Sequence, residues 1–216
     1  MAARAWIGRL QGAILSRPQR VALSGGTSAR LLFDAVVQLA AGQPGLFDSV
    51  EFFWADERCV PPSDSESNYR LAWDRLLSPL GIQRQRIHRI LGECAPEEAA
   101  VLASEELGDR VLDLAFLGMG EDGHVASLFP NASQASIECA RPFLAVTDAP
   151  KPPPRRVSLR YAALASAGDV WVLAPGSAKA DALRQSLRPG GATPLARLIR
   201  LRRGAVIFSD AALDPA

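Results

Sequence analysis

Short apolar runs alternate with stretches of helical period along nearly the whole chain, and no other feature narrows the fold as much. Residues 20–24, 49–55, 113–117 and 169–173 are strand-length apolar runs, and 143–146, 156–160 and 205–208 are further strand candidates, with a weaker one at 86–90. Between them, helical spacing marks 3–16, 28–41, 68–77, 96–108 and 178–186. In the second of these, Leu31, Leu32, Ala35, Val36 and Leu39 recur one turn apart and predict its packed face. Strands that alternate with helices must return parallel to one another. The pattern therefore predicts an α/β fold, a mostly parallel sheet with helices on both faces. No repeat, low-complexity tract or long linker divides the 216 residues, so residues 1–216 read as a single domain.

Hydrophobic residues are 48% of the chain, enough for a proper core, which excludes the disordered, collagen-like and coiled-coil classes. The formal net charge is +1, which argues against a nucleic-acid binder with a broad basic face. Three cysteines, Cys59, Cys94 and Cys139, lie far apart with no paired spacing, so they read as reduced thiols. No apolar run approaches the ~20 residues of a membrane span, and the N-terminal segment lacks the apolar stretch of a signal peptide. The expectation is a cytoplasmic monomer without membrane or nucleic-acid partners.

In open parallel sheets, ligands bind beyond the carboxyl ends of the strands, so the residues after each strand carry the functional information. After the first comes Ser24-Gly25-Gly26-Thr27-Ser28, leading into a helix. Paired glycines let backbone N–H groups approach an anion, and the helix N-terminus adds partial positive charge. The same residues also make an ordinary strand-to-helix turn with a hydroxyl cap. It is neither a Walker loop nor a dinucleotide fingerprint, because the lysine and the third glycine are missing. After the second strand come Asp56, Glu57 and Arg58, which also suit a solvated, ion-paired loop.

The most informative segment is Gly118-Met119-Gly120-Glu121-Asp122-Gly123-His124. Its glycines permit a tight path that presents two carboxylates and a histidine in succession. A carboxylate that orients His124 makes it a candidate general base. Glu121 and Asp122 are both open as its partner. One histidine in this region is too few for a metal site, and His88, between Ile87 and Arg89, reads as structural. Lysine occurs only at Lys151 and Lys179 in a chain otherwise basic through arginine. Lys151 stands in a proline-stiffened loop with Arg155 and Arg156, and Lys179 follows a strand at a helix start. Cations held this way suit a phosphate or carboxylate.

Taken together, Ser-Gly-Gly-Thr-Ser at 24–28, Asp-Glu-Arg-Cys-Val-Pro at 56–61, Ser-Glu-Ser-Asn-Tyr at 65–69, Leu-Gly-Met-Gly-Glu-Asp-Gly-His-Val-Ala-Ser-Leu-Phe-Pro at 117–130 and Asp-Ala-Pro-Lys-Pro-Pro-Pro-Arg-Arg-Val at 148–157 resemble the 6-phosphogluconolactonases. Phe208-Ser209-Asp210-Ala211-Ala212 resembles the end of that family. The resemblance departs at Thr27-Ser28-Ala29, where the family often has Ser-Thr-Pro, and at Val125, where it commonly has Thr. It implies a Rossmann-like fold of the sugar-phosphate isomerase/deaminase type. It also implies hydrolysis of 6-phospho-D-glucono-1,5-lactone in the oxidative pentose phosphate pathway, without a cofactor or metal.

The roles implied are His124 as general base, oriented by Glu121 or Asp122, with Asp56 orienting Arg58 or a sugar hydroxyl. Residues 24–28 and Lys179 would hold the phosphate; Arg58, Lys151, Arg155 and Arg156 would hold it or stabilise the oxyanion. Two other readings stay open: an isomerase or deaminase of the same fold, whose corresponding loop also contains Asp-Gly-His, and a non-catalytic sugar-phosphate binder.

Overall fold

The computed structural model describes residues 1–12, 17–130, 141–202 and 204–211. Strands β1 (Gln19–Leu23), β2 (Val50–Trp54), β4 (Leu114–Gly118), β7 (Asp169–Ala174) and β8 (Val206–Ser209) form one sheet in the order β2-β1-β4-β7-β8, and every pairing in it is parallel. Strands β3 (Asp56–Arg58), β5 (Phe143–Val146) and β6 (Arg156–Leu159) form a second, antiparallel sheet in the order β3-β6-β5. The sequence-based expectation of a mostly parallel α/β sheet holds for the main sheet. The small sheet departs from it, because β3, β5 and β6 pair antiparallel.

The central strands are apolar throughout because both of their faces are covered. Val21, Ala22, Leu23, Leu114, Ala115 and Leu117 are fully buried. Helix α1 (Ala2–Gln11) drives Trp6 edge-on against Phe116 of β4 and Phe47, at ring separations of 4.8 and 5.3 Å. The aromatic layer continues from Phe116 to Trp171 at 5.6 Å and on to Phe208 at 5.2 Å, across three adjacent strands. The last residues of the predicted 3–16 helix, and Cys139, lie outside the described residues.

Helix α2 (Gly26–Ala40) buries Ala29, Leu32, Phe33, Val36 and Ala40. The stripe is rotated from the predicted one: Leu32 and Val36 are inside, but Leu31 and Leu39 face outward. Both faces of this helix carry leucines at helical spacing, and the fold turns the one with Leu32, Phe33 and Val36 inward. Helix α3 (Asn68–Ala72) runs into a π-helical turn (Trp73–Leu77) and α4 is Pro96–Leu107. Helices α5 (Tyr161–Ser166), α6 (Ala180–Leu187) and α7 (Pro194–Leu201) pack together, and the sequence had marked only α6 of the three. The weak strand predicted at 86–90 is a 3-10 turn (Arg84–Arg86) followed by a single bridge from Ile87 to Phe52.

Cys59 and Cys94 are free thiols, and burial pushes the Cys59 thiol up to about 11, which keeps it an inert thiol at neutral pH. Among the described residues, no helix is long and apolar enough to cross a membrane.

The strand order places the site. From β1 the chain moves outward to β2, then returns to the other side of β1 as β4. The carboxyl ends of β1 and β4 therefore flank the point where the winding reverses, where a crevice opens in this architecture. Ala55 joins the two sheets. Its N–H donates to the Leu23 carbonyl of the main sheet at 2.7 Å, and its own carbonyl accepts from Leu159 N–H of the small sheet at 2.7 Å. The small sheet is thereby suspended over the carboxyl ends of β1 and β2.

Candidate active site

A cleft of about 710 Å³ opens at this reversal, within the size range of small-molecule sites. Its wall takes residues 24–28 from the turn after β1, Asp56 and Arg58 from β3, and Gly120, Glu121 and His124 from the turn after β4. Lys151, Arg156 and Lys179 complete the set from three later segments. Of the residues given a site role from the sequence, Asp122 and Arg155 do not line it. Asp122 stands behind His124, whereas Arg155 points outward, its carbonyl accepting from Cys59 N–H at 2.9 Å.

The turn after β4 is built to hold one imidazole. The Gly120 N–H donates to the His124 carbonyl at 2.9 Å and Gly123 N–H to the Gly120 carbonyl at 3.0 Å. A side chain at position 120 has no space, because a Cβ there would collide with the Cε1–Nδ1 edge of the His124 ring and with Asp122 Oδ1. The ring packs against Phe129 at 4.6 Å. Its Nδ1 lies 2.5 Å from Asp122 Oδ1, so Asp122 rather than Glu121 is the orienting carboxylate. Burial raises the Asp122 pKa, but the hydrogen bond and charge of His124 outweigh it and hold the carboxyl below its usual range. An ionised carboxylate can only accept, so Nδ1 carries the proton and Nε2 is the basic nitrogen. Among the described residues Nε2 makes no hydrogen bond. Two residues on, Ala126 adopts a left-handed φ of +48°, an uncommon conformation for alanine that turns the chain back toward β3.

Asp56 is buried and held from three directions. Its Oδ2 accepts from Ser127 Oγ at 2.7 Å, while the Asn68 amide donates to its carbonyl at 2.9 Å and to Oδ1 at 3.4 Å. Asn68 in turn packs where a Cβ at residue 25 would stand, so only glycine fits at Gly25. Beneath them Glu57 is 2% exposed and accepts from Ser67 Oγ and from the N–H groups of Arg58, Asn68 and Tyr69 at 2.7–3.1 Å. Burial pushes its pKa up to about 7 against the pull of the three backbone N–H groups. Its function in the structure is to moor the start of α3, and so Asn68, under the turn after β1.

Arg58 donates through Nη1 to the Glu66 carbonyl at 2.6 Å, and its buried Nε has no partner among the described residues. Ser24 Oγ donates to the Phe116 carbonyl at 2.8 Å, tying the turn to β4. Lys179 Nζ donates to Ser28 Oγ at 2.8 Å, which leaves the Ser28 hydroxyl hydrogen for another acceptor. Burial lowers the Lys179 pKa; Glu121 and Asp210 oppose this, and the Lys151 charge adds to it. The two lysines thus face a common region from different loops.

Sequence reading missed Asn68, Ser127 and Asp210. The sequence offers Ser67 or Asn68 as the cap of α3; Ser67 is the cap, and this leaves the Asn68 amide free to bind Asp56. Asp210 had been noted only as part of a terminal motif; it lines the cleft and accepts from Gly176 N–H at 2.7 Å. Asn68 and Asp210 line the cleft, while Ser127 is buried and acts through its hydrogen bond to Asp56. His88 is structural, as expected: it stacks on Phe53 at 4.5 Å and its Nδ1 meets Glu106 at 2.7 Å, away from the cleft.

A sequence profile for the family described as glucosamine-6-phosphate isomerases/6-phosphogluconolactonase matches residues 1–208. The 6-phosphogluconolactonase of Mycobacterium tuberculosis is 36% identical over 203 residues, spanning 88% of this chain and 80% of its own. That of Haemophilus influenzae is 34% identical over 175 residues, spanning 79% and 74%. Among solved structures, the 6-phosphogluconolactonase of Thermotoga maritima superposes with a TM-score of 0.82 at 25% identity, over 96% of this chain and 93% of that one. The Shewanella baltica 6-phosphogluconolactonase gives 0.83 at 25% identity, over 97% and 91%. With the profile spanning nearly the whole chain and relatives this similar along most of their length, the chain belongs to the glucosamine-6-phosphate isomerase/6-phosphogluconolactonase family.

Proposed function

We propose that this chain is the lactonase of its family, hydrolysing 6-phospho-D-glucono-1,5-lactone to 6-phospho-D-gluconate in the oxidative pentose phosphate pathway. The observation that carries the reading is one cleft holding a carboxylate-oriented histidine and cations from three separate segments. His124 Nε2 takes a proton from a water as its oxygen attacks the lactone carbonyl. The carbonyl electrons move onto oxygen, and the nearby Arg58 guanidinium steadies that charge. The C1–O5 bond then breaks, and the ring oxygen leaves with the proton returned by the imidazolium. Asp122 keeps the ring in one tautomer and stabilises its charged form. An activated ester needs neither a covalent nucleophile nor a metal.

The phosphate sits at the turn after β1, where N–H groups at the start of α2, the Ser28 hydroxyl, Lys179 and Lys151 meet it. Asp56, fixed by Ser127 and Asn68, faces a sugar hydroxyl. The test is hydrolysis of freshly made lactone above its spontaneous rate. Ammonia release from glucosamine 6-phosphate would instead identify a deaminase, and product binding without turnover a sensor.

The lysine pair gives a pH-dependent expectation. Lysine loses its charge as pH rises, and burial sets the Lys179 pKa below the ordinary value of about 10.4. Affinity for 6-phosphogluconate should therefore weaken with rising pH, beginning below the usual lysine range. Titration calorimetry of the product checks this without interference from base-catalysed lactone opening. Lys179→Arg, which stays charged, should move the loss to higher pH. Affinity that is flat through pH 10 in the native protein would remove Lys179 from the phosphate site.

A further inference from the structure

Arg156 is 4% exposed, and its guanidinium is already occupied. Nε donates to the Pro153 carbonyl at 2.9 Å, and Nη2 to the carbonyls of Lys151 at 2.9 Å and Pro152 at 3.3 Å. The loop that it grips is closed at its base by Ala149 N–H donating to the Pro154 carbonyl at 3.0 Å. Only Nη1 is left toward the cleft, with Ser127 Oγ at 3.5 Å. The guanidinium also lies over Phe129 at 5.5 Å, the ring that packs against His124.

Strand register explains why these carbonyls are needed. Arg156 stands directly opposite Arg58 in the β3–β6 pair, and like charges facing across strands repel. Burial disfavours the cation, the Asp56 carboxylate favours it and the Arg58 charge opposes it more weakly, and its buried N–H groups still need acceptors around them. The acceptors that Nε and Nη2 find are the main-chain carbonyls of residues 151–153. Lys151 itself is exposed. A long exposed lysine on a free loop would lose much of its side-chain and backbone freedom on gripping a phosphate.

We infer that Arg156 is a positioning residue: it anchors the main chain of residues 151–153 and so fixes where the Lys151 ammonium stands, rather than gripping the phosphate itself. The inference rests on the lactonase reading for the ligand that Lys151 meets. A planar fork can hold three carbonyls at once. A lysine at the same place keeps the charge but presents its donors from a single point.

The test is a double-mutant cycle of Arg156→Lys and Lys151→Ala, read as KM for the lactone and as amide exchange at Ala149. Each single variant should raise KM on the order of 10-fold, and the double variant should be no worse than Lys151→Ala alone. Exchange at Ala149 should quicken in Arg156→Lys. A native KM in Arg156→Lys, multiplying losses in the double variant, or unchanged exchange at Ala149 would overturn the inference. So would a native KM in Lys151→Ala. Should Arg156→Lys not fold, Arg156→Met, which keeps the buried bulk without the charge, takes its place in both readouts. If the native protein does not turn over lactone, the functional reading fails, while the exchange comparison still decides the anchoring.

Discussion

His124→Ala should lower kcat for the lactone by about 10²–10⁴-fold, the usual contribution of a positioned general base, with KM close to native. KM should be spared because, in the proposed reading, the phosphate is held by the cations and the turn after β1 and not by the imidazole, all of which line the one cleft. The direction of the pH effect follows from the chemistry: a base works only when deprotonated, so native kcat rises with pH along an acidic limb, and the variant loses that limb. The hydrogen bond to His124 keeps Asp122 ionised below the usual carboxylate range, so the orienting charge is in place across that limb. Steady-state kinetics, corrected for spontaneous opening, measure both quantities. A variant with near-native kcat would assign proton removal to another group.

Gly120→Ala should be nearly as damaging although it removes no functional group. A methyl at this position would occupy the volume of the His124 ring. Residue 120 is bound into the turn by its N–H and carbonyl, so the ring is the part free to move. A displacement of about 1 Å at a reacting group costs on the order of 10²-fold in rate. The expected result is a kcat loss of that size with an unchanged far-ultraviolet spectrum. Added to His124→Ala, the same substitution should cost little more, because the ring it strikes is gone. Native kcat in Gly120→Ala would mean that the ring position is not critical for turnover. A multiplying loss in the double variant would mean that the turn serves catalysis by another route.

The orientation of His124 shows where sequence reading stopped. Glu121 and Asp122 are equally placed in the chain, and both were open as its partner. The difference is a matter of backbone path: the Gly120–Gly123 turn folds Asp122 back onto Nδ1 and leaves Glu121 on the cleft wall. Asp56 and Arg58 are legible as candidates and line the cleft, but their segment reads as a loop, because three charged residues after an apolar run carry no strand signal. Pairing with β6 makes them a strand, and burial of Glu57 becomes tolerable once four donors surround it. The buried stripe of α2 was misplaced by one residue for a related reason: periodicity identifies a helix, but a helix apolar on several sides is oriented only by its neighbours.

From the residues alone came the alternation of strands and helices, the parallel main sheet, and the glycine-rich turns at strand ends with the histidine, hydroxyls and lysines they carry. These are local properties, since periodicity, glycine and the end of an apolar run act over a few residues. Tertiary structure alone decided which strands flank the reversal of winding, how Ala55 hands the chain to a second sheet, and which of Arg156's carbonyl partners anchor the loop bearing Lys151. Those depend on contacts between residues up to about a hundred positions apart, such as Asp56 with Ser127 and Ala55 with Leu159, and such contacts form only when the whole core closes around them.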